Sequence, residues 1–213
     1  MRSLTPLEAR VLGVLVEKQH TVPDTYPLSI NSLTAGCNQK TARAPVIEAT
    51  EAEVLTAIDG LKALSLVFEG SSSRVVKFEH NMARVLGLPG QSVALLTVLM
   101  LRGPQTAAEL RLNCERLHRF ADISSVEGFL DELAAKATPM VIKLARAPGA
   151  REMRWAHLLC GDVALEAAPL LADGFDVSAG ELASIKAEMT RQAIELTALR
   201  DLVERLAREL GID

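Results

Sequence analysis

The chain has 213 residues and a formal net charge of −4 at pH 7, which allows one large domain or two small ones and excludes the strong basic excess typical of nucleic-acid-binding domains. Its longest apolar stretch, residues 93–101, is too short to cross a bilayer, and the N-terminus has no apolar signal core. The three cysteines are widely separated and lack metal-ligand spacing. We therefore expect a cytoplasmic protein with reduced thiols and with no membrane partner, metal or cofactor.

An internal repeat divides the chain. The pattern Arg-x-x-basic-aromatic-x-His occurs at residues 74–80 and again at residues 151–157. A repeat at this spacing indicates one small structural unit that is used twice. We predict two domains, at residues 1–86 and 87–162, followed by a linker and a C-terminal helix at residues 163–213.

In the first copy the sequence predicts three helices followed by a β-hairpin. Capping boxes begin at Thr5 and Thr50, where a hydroxyl and a later carboxylate can satisfy the free backbone donors of a helix start. A turn rich in Gly and Ser separates two β-prone runs, as expected for a hairpin. The predicted helices and strands cover residues 6–18, 29–37, 51–64, 66–68 and 74–80.

The second copy repeats this order, with capping boxes at Thr106 and Ser124. Its predicted helices and strands cover residues 91–102, 107–114, 126–135, 140–144 and 151–157. Three helices followed by a hairpin is the order of a winged helix, a variant of the helix-turn-helix. The sequence therefore predicts a mainly helical α+β fold with two tandem winged-helix domains, joined by a hinge near residues 86–90.

The C-terminal segment carries a heptad repeat after a further capping box at Ser178. Its a and d positions are Leu182, Ile185, Met189, Gln192, Leu196, Leu199, Val203, Leu206 and Leu210. In a parallel pair of chains, glutamates at g positions would face basic residues at e positions. We predict a parallel homodimer through this coiled coil; the alternative is a long amphipathic helix that packs on the protein's own domains.

The repeated signature marks the last strand of each predicted wing. Because successive side chains of a strand point to opposite faces, the aromatic residue and every second neighbour share one face, which is expected to be the buried one. These residues are Arg74, Val76, Phe78 and His80 in the first copy and Arg151, Met153, Trp155 and His157 in the second. We expect their arginines, aromatics and histidines to have structural roles, with Lys77, Arg154 and Ala156 on the opposite face.

A set of motifs spans about residues 3–162. The motifs are Pro23-Asp-x-Tyr26-Pro-Leu-Ser, Cys37-Asn-Gln-Lys40-Thr-Ala-Arg43-x-Pro45-Val, Leu101-Arg-Gly-Pro-Gln-Thr, Glu115-Arg-Leu-His118-x-Phe and Pro148-Gly-x-Arg151-Glu. With these motifs the chain resembles the bacterial YceH-type family. The resemblance implies a tandem winged-helix fold in a cytosolic bacterial protein, and the long C-terminal helix also fits that family.

A winged helix usually reads DNA with its third helix, but both predicted third helices begin with acidic residues that would repel phosphates. The candidate nucleic-acid contacts therefore lie elsewhere, at Lys40, Arg43, Lys77, Arg111, Arg116, Arg119, Arg146 and Arg154. Two functions remain open. One is a DNA-associated transcriptional regulator, and the other is a docking module or scaffold that binds a protein partner through its winged helices.

The sequence offers little for catalysis. The four histidines are scattered, and we find no phosphate-binding loop and no paired metal-ligand motif. Cys37 and Cys114 fall at equivalent positions near the end of the second helix of each copy, as expected of small core residues. Glu115 and His118 would lie one helical turn apart, a pairing that occurs often by chance. We expect no enzymatic activity and assign no catalytic residue.

Overall fold

The structure is a computed structural model that describes residues 2–70, 75–146 and 152–161. Within these ranges it contains seven α-helices, one short 3-10 helix and five β-strands, which confirms the predicted mainly helical α+β class. None of the described helices is long and apolar enough to cross a membrane. The predicted heptad segment, residues 182–210, and the repeated Arg74 and Arg151 lie outside the described residues.

The first half follows the predicted order of three helices and a hairpin. Its elements are α1 (Pro6–Thr21), a 3-10 turn (Pro23–Thr25), β1 (Leu28–Ser29), α2 (Ile30–Cys37), α3 (Glu51–Ala63), β2 (Val67–Gly70) and β3 (Lys77–His80). The three strands form an antiparallel sheet in the order β1-β3-β2. Phe78 lies at its centre, opposite Leu28 on one side and Glu69 on the other, so the hairpin is tied to the chain between the first two helices.

The second half repeats this arrangement after a short connecting helix that the sequence pattern does not predict. Its elements are α4 (Met82–Leu86), α5 (Gly90–Arg102), α6 (Ala107–Asn113), α7 (Ile123–Ala134), β4 (Val141–Lys143) and β5 (Trp155–His157). Strands β4 and β5 pair antiparallel. Gln105 pairs with Trp155 through two backbone hydrogen bonds of 3.0 and 2.7 Å and takes the place that β1 has in the first sheet.

Among the described residues, helix starts follow the capping signals with one exception, while the box predicted at Ser178 lies outside them. The capping boxes at Thr5, Thr50 and Thr106 are all present. The box predicted at Ser124 is wrong, because the cap of α7 is Asp122, two residues earlier, and the helix begins at Ile123. The Asp122 carboxylate accepts hydrogen bonds of 2.7 Å from both the backbone N–H and the hydroxyl of Ser125. A carboxylate at this position also stabilises the positive end of the helix dipole.

The two halves share one hydrophobic core, and residues 1–163 form one compact unit. Helix α1 of the first half packs against α5 of the second, with Gly13 lying against Leu101. Two backbone hydrogen bonds of 2.8 Å also join the halves, from Ala44 N–H to the Leu101 carbonyl and from Leu4 N–H to the Leu159 carbonyl. The resulting joint places the loop before α3 and the end of β5 on either side of α1 and α5.

Candidate nucleic-acid interface

Arg43, predicted to contact phosphates, is buried and fully engaged. Its side chain has no exposed surface, and its Nη1 and Nη2 atoms donate to the two carboxylate oxygens of Glu17 at 3.0 and 2.6 Å. Its Nε also donates to the Gly36 carbonyl at 3.1 Å. A guanidinium held by both oxygens of one carboxylate has no free donor edge for a phosphate. The expectation of an exposed cation at this position is therefore wrong.

The other two candidates of the first half remain accessible. Lys40 is exposed and Lys77 is half-buried, and no described carboxylate lies within ion-pair distance of either. Three other described cations of this half are paired with carboxylates: Arg2 with Glu8, Lys18 with Glu17 and Lys62 with Glu69. Arg84 is a further exposed cation of this half without a carboxylate partner among the described residues.

In the second half, two of the predicted cations hold parts of the fold together. The Arg111 Nη2 donates to the Ala121 carbonyl at 3.1 Å and fixes the loop that follows α6. The Arg154 side chain points outward as expected, donates to the Pro104 carbonyl at 3.1 Å and pairs with Glu109 at 3.2 Å. Because the Glu109 carboxylate also caps α6, Arg154 connects the wing to the beginning of that helix.

The remaining predicted cations of the second half are exposed and unpaired among the described residues. Arg116 and Arg119 lie in the loop between α6 and α7, and Arg146 follows β4. Lys143, also on the wing, has its Nζ 5.2 Å from the centre of the Trp155 ring, in cation–π geometry. In the second half, most of the exposed cations without a carboxylate partner among the described residues therefore lie on one loop and on the wing.

A groove of about 370 Å³ lies between this wing and the beginnings of α6 and α7; we call it the wing groove. It is lined by Ala107, Ile123, Glu127, Lys143, Arg146, Glu152, Met153 and Trp155. The loop that carries Arg116 and Arg119 leads directly into the first turn of α7, which borders the groove. Two of the lining residues, Glu127 and Glu152, are acidic and offset the charges of Lys143 and Arg146. A positive charge on this surface therefore requires the cations of the loop as well as those of the wing.

The third helix of each half presents carboxylates to solvent, as the sequence indicates. In α3, Glu51, Glu53 and Asp59 are exposed, and in α7, Asp131 and Glu132 are exposed. Carboxylates on these surfaces would repel a phosphate backbone. Neither helix has the charge that insertion into a major groove requires.

The aromatic residues of both wings are buried as predicted, with Phe78 at 4% and Trp155 at 2% exposure. Three of their neighbours differ from the predicted alternation. Val76 and Met153 are exposed because β3 begins only at Lys77 and β5 only at Trp155, so they lie outside the paired strands. Ala156 is buried rather than exposed because β5 also packs against α5.

The two wing histidines occupy different surroundings. The backbone N–H of His80 donates to the Tyr26 hydroxyl at 2.8 Å, and its Nε2 lies 2.7 Å from the Gln19 Oε1. The His157 Nδ1 is buried and has no hydrogen-bond partner among the described residues. Burial lowers the pKa of His157 to about 4, and burial together with repulsion from His20 lowers the pKa of His80 to about 4, so both rings are neutral at physiological pH.

The thiols and acidic groups form no evident reactive centre within the described ranges. Cys37 and Cys114 are fully buried, and burial raises the pKa of each thiol to about 12. Thiols with such a pKa are protonated at neutral pH and are poor nucleophiles. Among the described residues no three His, Cys, Asp or Glu side chains are grouped as metal ligands would be.

Sequence reasoning missed Arg10, which lies on the inward face of α1 and is only 3% exposed. A signal for its burial exists in the sequence, because residue 10 falls one helical turn after Leu7 and one before Val14, both on the apolar face. The polar residue in that apolar stripe indicates a side chain with partners in the core.

These observations define a mainly helical α+β protein with two structurally repeated halves and a cationic wing. Residues 4–150 match the family described as "Protein of unknown function, DUF480", and the chain belongs to this family. A UPF0502 protein of Burkholderia pseudomallei strain 668 is 70% identical over 214 residues, which covers 100% of this chain and 92% of the relative. UPF0502 proteins of Burkholderia cenocepacia and Burkholderia thailandensis are 68% and 69% identical over 216 residues with the same coverage. These matches confirm the predicted family resemblance.

Proposed function

We propose that this protein is a non-enzymatic, cytoplasmic regulator with two tandem winged helices that associates with DNA through its second half. The observation that carries the proposal is the set of exposed cations without carboxylate partners among the described residues, Arg116 and Arg119 on the loop and Lys143 and Arg146 on the wing. Lys and Arg side chains that are not already neutralised can contact phosphates and release counterions. The order of helices and strands in each half supports the winged-helix interpretation.

The expected mode of binding follows from where the negative charges lie. The exposed carboxylates of α3 and α7 keep both third helices out of the major groove, whereas the wing and the loop can follow the phosphate backbone. Backbone contacts position a protein but carry no direct sequence information. We therefore expect association with weak sequence preference and a strong dependence on salt.

Titration of fluorescently labelled duplex DNA with the full chain, followed by anisotropy, tests this proposal. We expect binding at about 50 mM salt that weakens steeply towards about 200 mM, because each phosphate contact contributes close to −0.9 to the slope of log K against log salt. Reversal of two wing charges, Lys143→Glu with Arg146→Glu, should reduce affinity at low salt by at least about tenfold and make the slope less steep.

The matched control is Arg84→Glu with Lys136→Glu, which changes the net charge equally at two exposed positions outside the wing groove. This control should bind almost as the parent protein does. Equal losses of affinity in the two double variants would show that only net charge matters, and no binding at about 50 mM salt would reject the proposal.

A stoichiometric protein partner recovered in place of DNA would favour the alternative docking function. The exposed face of α3 would suit such a partner, since Leu55 lies between the acidic Glu51 and Asp59 on successive turns.

Self-association belongs to the same proposal and is supported by the heptad pattern of residues 182–210. Removal of the chain after Asp176 should reduce the mass measured by light scattering from that of a dimer to that of a monomer. The fluorescence of Trp155, the single tryptophan, should stay unchanged if the remaining fold is intact. If the truncated protein is folded and contains as many chains per particle as the full-length protein, the C-terminal helix is not the dimer contact.

A further inference from the structure

A second cavity, of about 550 Å³, lies where α1, the loop before α3, the end of α5 and the end of β5 meet; we call it the α1 cavity. Its wall is mostly apolar and includes Leu7, Pro45, Ile47, Leu99 and Met100. This volume falls within the range of roughly 300 to 1,000 Å³ that is typical of small-molecule sites. An apolar wall with few polar groups suits a ligand that has an apolar body and one polar end.

Arg10 supplies a buried positive charge to this wall. It is 3% exposed, its Nη1 donates to the Cys37 carbonyl at 3.1 Å, and its Nη2 donates to the Pro45 carbonyl at 2.6 Å. Among the described residues, its Nε has no hydrogen-bond partner and no carboxylate lies within ion-pair distance. Burial, and then repulsion from Arg43, lower the pKa of Arg10. A cation in such surroundings gains much from an anion placed beside it.

His157 supplies the second unpaired nitrogen. His157 is one of the residues that line the same cavity, at the end of β5, and its Nδ1 is fully buried without a partner among the described residues. Since the ring is neutral at physiological pH, Nδ1 can donate a hydrogen bond in one tautomer. Two residues from different halves of the molecule, each with a buried nitrogen that has no partner among the described residues, thus line one largely apolar cavity.

The acidic residues around the cavity are turned towards solvent. Glu48 and Glu53 both border it and both are exposed. The Glu53 carboxylate accepts hydrogen bonds from the Thr50 backbone and hydroxyl as the cap of α3. These carboxylates therefore lie at the mouth, whereas the positive charge of Arg10 lies inside.

We propose that the α1 cavity is a binding site for a small monocarboxylate with an apolar body. The carboxylate pairs with Arg10 and accepts a hydrogen bond from His157, while the apolar body contacts Leu7, Ile47 and Met100. A charge-assisted pair shielded from water is roughly twice as strong as a neutral hydrogen bond, so the charge of the ligand decides its affinity. The site is independent of the proposed association with DNA, since it uses none of the wing cations.

Calorimetric titration of the full chain with octanoate and with octanamide, in the absence of DNA, tests the site. We expect octanoate to bind and to raise the melting temperature, and octanamide, which has the same chain but no charge, to bind at least about tenfold more weakly. Butanoate and phenylacetate extend the test to shorter and wider acids. Absence of binding by all three acids, or equal affinity for acid and amide, would overturn the proposal.

Three variants locate the site. Arg10→Gln should remove the preference for acid over amide, and Ile47→Trp should abolish binding of both by filling the cavity from its loop wall. Leu55→Trp is the matched control, because it adds the same ring at an exposed position outside the cavity, and it should bind octanoate as the parent protein does. If circular dichroism shows that Arg10→Gln is unfolded, His157→Phe replaces it and should weaken octanoate binding severalfold. Unaltered binding by Ile47→Trp would place the ligand elsewhere and reject the α1 cavity.

Discussion

Two buried arginines, Arg10 and Arg43, show how the partner of a charge decides its role. Arg43 is neutralised by Glu17 and forms part of the structure. Arg10, by contrast, meets two backbone carbonyls and no described carboxylate. A buried cation that is paired with a carboxylate stabilises a specific arrangement only while the pair is complete. A buried cation without a carboxylate partner favours the binding of an anion. The same side chain is therefore structural at one position and a candidate ligand contact at the other.

The pair between Arg43 and Glu17 leads to a stability prediction. Arg43→Met removes the two short hydrogen bonds to the Glu17 carboxylate and leaves it only Lys18, 3.7 Å away, so the variant should lower the free energy of unfolding by about 3 kcal/mol. Glu17→Gln should also destabilise, since it leaves the guanidinium buried without a counterion. Urea unfolding followed by the fluorescence of buried Trp155 measures both effects.

The control for this prediction is Lys62→Met, which breaks an ion pair of the same 2.6 Å length with Glu69 at a largely exposed position. Exposed pairs contribute little because solvent screens them, so this variant should unfold close to the parent protein. If Arg43→Met and Lys62→Met lower the free energy of unfolding by similar amounts, burial does not determine how much each ion pair stabilises the protein.

At the scale of helices and strands, the sequence predicts what depends on nearby residues and misses what depends on distant ones. The starts at Thr5, Thr50 and Thr106 are predictable because each cap and its partner are three residues apart. The start of α7 is missed because Asp122 and Ser124 both precede an apolar pattern, and only the backbone geometry chooses between them. The strands are shorter than the β-prone runs because pairing, rather than propensity, ends them.

The candidate site shows the same limit. The exposed wing cations can be found from composition and strand order, whereas the engagement of Arg43 by Glu17 joins residues 26 positions apart and leaves no local pattern. The α1 cavity is even harder to predict from the sequence, because Arg10 and His157 come from opposite halves of the chain. Such contacts exist only after α1 and α5 have packed.

At the scale of the whole molecule, the joint between the halves depends on a close approach of α1 and α5. A Cβ atom at Gly13 would lie 3.0 Å from both Cγ and Cδ2 of Leu101, closer than ordinary packing permits. Glycine therefore lets the two helices meet at this point. Because the α1 cavity and the shared core both depend on this packing, a wider helix spacing should affect the stability of both halves together.

Gly13→Leu tests that dependence, and Gly128→Leu on α7 is its matched control. At Gly128 no described atom other than those of its neighbours and its own helix backbone lies within 4 Å of an added Cβ, so Leu should be neutral or stabilise slightly by raising helix propensity, by up to about 1 kcal/mol. At Gly13 the same gain is outweighed by overpacking, and the free energy of unfolding should fall by about 1 to 3 kcal/mol.

Far-UV circular dichroism follows the unfolding of both halves, whereas Trp155 fluorescence follows the second half alone, although the substitution is in the first half. If the halves are coupled through this joint, the midpoints of both unfolding transitions shift to lower urea concentration by the same amount. A shift in circular dichroism with an unchanged Trp155 transition would show instead that the halves unfold independently.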